Sequence, residues 1–154
     1  ASLYSFEECE FAINSGVFDF IQVPINVFDL SFYKNFVQNN STPIRFTARS
    51  LLLQGLLINR QSIPARISES DEVVQYLNQL DELAREVKLS TLELALGFVF
   101  ALKNIDHFLI GTTSVQNLKN NLRCLNIKLQ EEVFSRIFKI ASPPKPWSNP
   151  KNWH

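Results

Sequence analysis

Three times in 154 residues the chain runs a short apolar stretch into a polar turn and then into a helical repeat. This βα rhythm is the feature that most narrows the folds open to it. The last copy, residues 108–122 (FLIGTTSVQNLKNNL), is the sharpest. Phe108, Leu109 and Ile110 predict a buried strand, and Gly111, Thr112, Thr113 and Ser114 a small polar turn. Val115, Leu118 and Leu122 then repeat at helical spacing. Ser114 is placed to be the N-cap, because its hydroxyl can accept from the free amides of the first turn. Such a turn aims unpaired N–H groups and the positive end of a helix dipole at one spot, which suits a phosphate. Many βα turns share this arrangement and bind nothing.

At 154 residues the chain has the length of one domain and ample material for a core. Apolar residues make up 45 % and include 13 Phe, which excludes a disordered chain. The 15 basic and 15 acidic residues cancel, so the basic footprint of a nucleic-acid binder and a polybasic membrane patch are both missing. Cys9 and Cys124 lack metal-ligand spacing and read as a reduced pair in a cytoplasmic protein. The longest apolar stretch, residues 94–102, is too short to span a bilayer.

Ser5 and Glu8 form a capping-box pattern that opens a short helix ending at Gly16. A strand is expected over 19–23, a helix capped by Asp29 over about 30–38, and a turn over 39–43. The next strand is 44–48. A long connection over 49–67 follows, which marks a functional loop or short elements without a clear pattern. Residues 71–87 predict an amphipathic helix with Val73, Leu77, Leu80, Ala84 and Val87 on one face. Ser90 and Glu93 form a second capping box, and the helix after it, to about Leu102, is apolar nearly all round and should be deeply buried. The last strand is expected over 107–110, a helix from Ser114 to about Cys124, and an amphipathic helix over 129–140. The Pro- and Trp-rich tail from Ser142 reads as an extended strap, with Trp147 and Trp153 packed over the wall rather than offered to a partner, and the terminal His154 as mobile.

Alternating strands and helices imply a parallel sheet whose chemistry sits at the C-terminal strand ends. On that edge stand Gln22 and Asn26, then Arg49 and Ser50, then Gly111, Thr112 and Thr113. Neither GxGxxG nor a P-loop occurs. His107 begins its strand and so lies at the opposite, structural end. No Cys or Ser pairs with a His for nucleophilic catalysis.

Three ordered segments carry a resemblance. LYSFEECEFAINSGVFDFIQVPIN resembles the fifth-to-sixth strand region of aldo-keto reductases, ARSLLLQGLL their seventh strand, and LIGTTSVQNLKNNL their eighth strand and following helix. The resemblance spans essentially the whole chain. It implies an α/β fold, the C-terminal half of a (β/α)8 TIM-type barrel, with residues 1–154 as one partial barrel. Three complete strands are present, with residues 1–3 as the stub of a fourth.

By the same resemblance the parent would be an NADP(H)-dependent oxidoreductase reducing aldehydes or ketones, with NAD as the other cofactor choice. The family's catalytic Asp, Tyr, Lys and His come from the first half of the barrel and have no match here. Ser2 and Gln22 would contact the nicotinamide carboxamide, with Leu3 where many members have Asn. Arg49 stands where many members stack a Tyr on nicotinamide, with Ser50 beside it; a surface ion pair is its other reading. Gly111, Thr112, Thr113, Asn117, Asn120 and Asn121 fall on the segment that grips the adenosine end. Asn121 matches an adenine-contacting Asn, and Asn120 replaces a usual Glu. Thr113 and Asn117 are neutral where relatives carry Arg or Lys for the 2′-phosphate.

Two functions remain open at this point: the cofactor-binding part of a reductase, or a natural half-barrel kept as a non-catalytic binding or assembly module. An abrupt start inside a strand-to-helix turn favours a truncated parent. Val23, Phe46 and Leu109 lie on strands that a closed barrel would bury on both faces. With half the barrel missing, one sheet face is expected to be a large apolar patch and two strand edges to lack partners. A homodimer through the open barrel face is the simplest cover. The alternative is long helices or the tail folded over the gap.

Overall fold

Four of the described helices begin at serine N-caps, Ser5, Ser70, Ser90 and Ser114. The computed structural model describes residues 1–141 and 145–153; Ser142, where the tail was expected to begin, and His154 lie outside the described residues. The chain order is α1 (Phe6–Ser15), β1 (Phe20–Pro24), β2 (Arg45–Arg49), α2 (Ala65–Ser68), α3 (Asp71–Glu86), α4 (Thr91–Phe100), β3 (His107–Phe108), α5 (Val115–Arg123) and α6 (Glu131–Ile140). At α1 the Glu8 amide donates to Ser5 Oγ at 3.2 Å, and the Ser5 amide donates back to the Glu8 carboxylate at 3.1 Å. Gly16 ends that helix at φ 65°, a left-handed backbone that glycine adopts without strain. Ser90 and Glu93 repeat the reciprocal pattern at α4.

The three strands pair in parallel in the order β1-β2-β3. Residues 1–3 add the expected stub beside β1: the Leu3 amide donates to Gln22 O at 3.0 Å and the Gln22 amide to Ala1 O at 2.7 Å. Strand alternation divides the side chains between two faces. Ile21, Val23, Phe46 and Ala48 are fully buried, in one core with Leu77 and Leu80 of α3 and Leu94 and Phe98 of α4. α4 is buried from Leu94 to Val99, as its all-round apolar sequence predicts.

The other sheet face carries Phe20, Gln22, Arg45, Thr47 and His107, in register as Phe20 with Arg45, Gln22 with Thr47 and Thr47 with His107. The expected large apolar patch is therefore a mixed polar surface. Phe20 is its aromatic member, with the Arg45 guanidinium 5.1 Å and the His107 ring 5.6 Å from its centroid.

The expected buried triplet at 108–110 is also corrected. Strand pairing stops at Phe108, Phe108 and Ile110 are half-buried, and Leu109 is 53 % exposed. By strand alternation Leu109 falls on the His107 side, the open face of the sheet, which leaves it half exposed. The helix expected over 30–38 is present over 31–37 and is π-helical over Tyr33–Val37. Asp29 still opens it, its carboxylate accepting from the Ser31 amide at 2.9 Å and hydroxyl at 2.6 Å. Phe32 and Phe36, four residues apart, both meet Phe6 edge-on, at 5.0 and 5.3 Å.

The long connection holds the short turns Leu53–Gly55 and Arg60–Ser62 and the single-turn α2. The tail folds into two 3₁₀ turns, Pro146–Ser148 and Pro150–Trp153, rather than an extended strap. Its tryptophans are buried, as expected: Trp147 packs on Phe28 at 5.1 Å, and Trp153 Nε1 donates to Trp147 O at 2.8 Å.

Candidate functional site

The expected site residues fall into two groups, and Gln22, expected to end its strand at the C-terminal edge, sits instead in the middle of β1. The first group is built on β1, β2 and the stub. Ser2 bridges Gln22, and both line an open hollow of about 540 Å³ together with Ala1, Phe20, Thr47 and His107. Arg49, at the end of β2, turns back over the stub. Its Nη2 donates to Leu3 O at 2.8 Å and its Nη1 to Ser50 Oγ at 3.3 Å. The guanidinium carbon lies 4.0 Å from the Tyr4 ring centroid. Arg49 Nε is buried without a hydrogen-bond partner among the described residues, and partial burial lowers the guanidinium pKa.

The second group is the turn after β3. The Leu109 amide donates to Ala48 O at 2.8 Å, so this turn leaves the sheet beside the Arg49 end of β2. Gly111, Thr112 and Thr113 are exposed, and a Cβ at Gly111 would meet nothing within 4 Å. The Ser114 amide donates to Thr112 Oγ1 at 3.2 Å, and Ser114 Oγ accepts from the Asn117 amide at 3.3 Å. Ser114 is thus the N-cap the sequence predicts. The Val115 and Gln116 amides at the helix start have no intrahelical acceptor. Asn117 is exposed, and Asn120 accepts from Gln116 Nε2 at 3.0 Å. Asn121 is the buried residue of α5, so it faces the core side.

The hollow takes Ser2 and Gln22 and does not include Arg49, Ser50 or the residues of the last turn. Asn26 does not belong to an open site. Its Nδ2 donates to Ser148 O at 3.2 Å and its Oδ1 accepts from the Phe28 amide at 2.9 Å, both buried. Two residues at this edge escaped the sequence reading. Tyr4 lies between Arg49 and Lys151, whose Nζ is 4.8 Å from the ring centroid. No local pattern signals this contact, because Lys151 reaches Tyr4 only through the folded tail. Among the described residues no group of three or more His, Cys, Asp or Glu could hold a metal, and no helix is long and apolar enough to cross a membrane.

The chain matches the aldo/keto reductase family model over residues 7–142. A comparison with curated proteins found no match. Among solved structures, it is similar to the apo form of an aldo-keto reductase from Bacillus halodurans at 18 % identity and TM-score 0.74, covering 96 % of this chain and 53 % of that one. It is also similar to the glycerol dehydrogenase from Gluconobacter oxydans at 18 % identity and TM-score 0.67, covering 94 % and 50 %. A thermostable aldo-keto reductase in complex with the inhibitor epalrestat matches at 21 % identity and TM-score 0.64, covering 90 % and 46 %. At these identities the likeness shows the fold: the C-terminal half of a (β/α)8 barrel, with the chain spanning about half the length of the structures it matches. Over most of its sequence, then, the chain belongs to the aldo/keto reductase family.

Proposed function

We propose that residues 1–154 form one partial-barrel unit, the cofactor-binding half of a cytoplasmic NADP(H)-dependent oxidoreductase that reduces aldehydes or ketones, with NAD(H) as the alternative cofactor. The observation that carries this reading is the accessible turn over 111–117 beside the Arg49 end of β2. Family membership supports it, as does the similarity to proteins named as reductases and as a glycerol dehydrogenase. The free thiols Cys9 and Cys124 accord with a reducing compartment.

The residues present fit a dinucleotide. Open space at Gly111 admits a phosphate close to the backbone, and the first-turn amides of α5 point N–H groups at it. Thr113 and Asn117 are exposed where an adenosine 2′-phosphate would be read. Gln22 and Ser2 offer amide and hydroxyl partners to the carboxamide end. Arg49 supplies a cation whose Nε still lacks an acceptor. The bound cofactor supplies the hydride. The resemblance places the proton donor and its partners in the other half of the barrel, so this chain binds and orients.

Calorimetry with 2′,5′-ADP tests the reading. Binding is expected for the chain and is expected to be largely lost in Gly111→Val, whose side chain fills the phosphate approach. Equal binding by both places the site elsewhere. In the same preparation no steady NADPH oxidation with an aldehyde is expected, because the alkoxide has no proton donor.

A further inference from the structure

Three contacts hold Tyr4. Its amide donates to Glu8 Oε2 at 2.7 Å, the Arg49 guanidinium carbon lies 4.0 Å from its ring centroid, and Lys151 Nζ lies 4.8 Å from the same centroid. A cation within about 6 Å of a ring centroid is attracted by the quadrupole of the ring. Both cations of this array meet that condition, one from the end of β2 and one from the C-terminal tail.

The tail delivers Lys151 as a fixed part of the fold. Ser148 is fully buried; its carbonyl accepts from Asn26 Nδ2 at 3.2 Å and its hydroxyl donates to Asp29 at 3.3 Å. Further on, Asn152 Nδ2 donates to Pro146 O at 2.8 Å, and the buried Trp153 donates to Trp147 O. Between these anchors the Lys151 amide donates to Asn149 Oδ1 at 3.2 Å, and its exposed side chain reaches Tyr4. Glu8 offers the ammonium a counter-charge. Its carboxyl is held below the ordinary value first by the Tyr4 amide, then by the Ser5 amide, and also by the charge of Lys151.

A guanidinium on a long flexible stem takes its plane from what it stacks on. For Arg49 the stacking surface is Tyr4, while Leu3 O and Ser50 Oγ fix two corners of the fork. The placement of the Tyr4 ring therefore sets how Arg49 is presented at the end of β2. We propose that Lys151 is a positioning residue for cofactor binding: acting through the Tyr4 ring, it orients Arg49 toward the nicotinamide end of the dinucleotide. The inference rests on the cofactor reading given above. It makes the tail part of the cofactor site although the tail does not touch the cofactor.

Calorimetry on a double-mutant cycle tests this. Lys151→Met is expected to weaken NADPH binding by roughly two- to five-fold, the scale of one exposed cation–π contact, and to leave 2′,5′-ADP unchanged. Lys151→Arg, which keeps the cation, is expected to bind NADPH like the unmodified chain. In a Tyr4→Leu background, Lys151→Met is expected to change nothing further. Normal NADPH binding by Lys151→Met overturns the proposal. So do losses that add in the Tyr4→Leu background, which make Lys151 a direct cofactor contact, and equal losses for the two ligands, which make it a fold effect.

The free chain gives a second readout that needs no cofactor. The Arg49 Nε proton adjoins the guanidinium carbon stacked at Tyr4, so its NMR signal carries the ring-current shift of that ring. Tyr4→Leu removes the shift and so calibrates it. Lys151→Met is expected to move the signal part of the way to the Tyr4→Leu position, whereas Met at the exposed Lys139 of α6 is expected to leave it in place. An unmoved signal in Lys151→Met overturns the proposal whether or not the chain binds a cofactor. A signal that moves as expected in a chain that binds neither ligand supports the Lys151–Tyr4–Arg49 coupling and overturns the cofactor reading alone.

Discussion

The guanidinium carbon of Arg49 sits 4.0 Å from the ring centroid of Tyr4 while its Nη2 donates to Leu3 O at 2.8 Å. One side chain thereby ties the end of β2 to the stub strand, beside the turn proposed to bind the dinucleotide. Arg49→Met keeps much of the apolar stem and removes the fork. NADPH affinity is expected to fall roughly tenfold, the scale of one charge-assisted hydrogen bond. Binding of 2′,5′-ADP, which lacks the nicotinamide, should be unchanged. Calorimetry with both ligands checks this, and equal losses for the two would point to a collapsed strand end instead.

The turn at 111–113 offers a gain as well as a loss. Thr113→Arg should tighten 2′,5′-ADP by about 1–2 kcal/mol, the range of a charged hydrogen bond to phosphate. Thr113 is exposed, so the longer side chain displaces nothing in the core. Gly111→Val should leave the urea midpoint unchanged, since a Cβ there meets nothing within 4 Å. A binding loss accompanied by a lower midpoint would show a folding effect and not a blocked approach.

Gly97, buried in α4, behaves in the opposite way. A Cβ added to it would stand 2.7 Å from Ile127 Cγ2 and 2.8 Å from Ile127 Cβ. Overpacking of this kind costs about 1–3 kcal/mol. That exceeds or matches the roughly 1 kcal/mol that Ala gains over Gly inside a helix. Gly97→Ala is therefore expected to destabilise the chain in urea. The cost should shrink when Ile127 is also replaced by Ala, because a smaller neighbour can shift.

The capping boxes predict a response to acid. Hydrogen bonds from the Tyr4 and Ser5 amides hold the Glu8 carboxyl below its ordinary 4.5, and bonds from the hydroxyl and amide of Ser90 do the same for Glu93. A carboxylate lowered in the folded state binds fewer protons there than in the unfolded chain. Its stabilisation is present above 4.5 and is lost as the pH falls through the folded value. Ser90→Ala should cost about 1 kcal/mol at neutral pH. Thermal melts from pH 7 to pH 3 should show the variant losing less stability on acidification than the parent.

Local chemistry was legible in the sequence because its partners lie within one helical turn. Ser5 with Glu8, Ser90 with Glu93 and Ser114 with Asn117 each span three residues, so residue type and spacing suffice. The βα order and the burial of α4 followed from periodicity, and Arg49 could be placed at a strand end by counting along β2, whereas Gln22 lies in the middle of β1 and Gly111 three residues past the end of β3. Contacts that close over long separations were not legible. Ser148 Oγ reaches Asp29 across 119 positions, and Lys151 meets Tyr4 from the other end of the chain. Nor could spacing tell which way a face would turn. Val115, Leu118 and Leu122 form a regular apolar stripe, yet they face solvent while Asn121 on the same helix is buried. Leu109 is the middle of an apolar triplet but stands beyond the last paired residue. Periodicity reports that a helix or strand has an apolar side, whereas burial depends on whether a neighbour occupies that side. Only the assembled half-barrel, with a sheet edge open at each end, decides it.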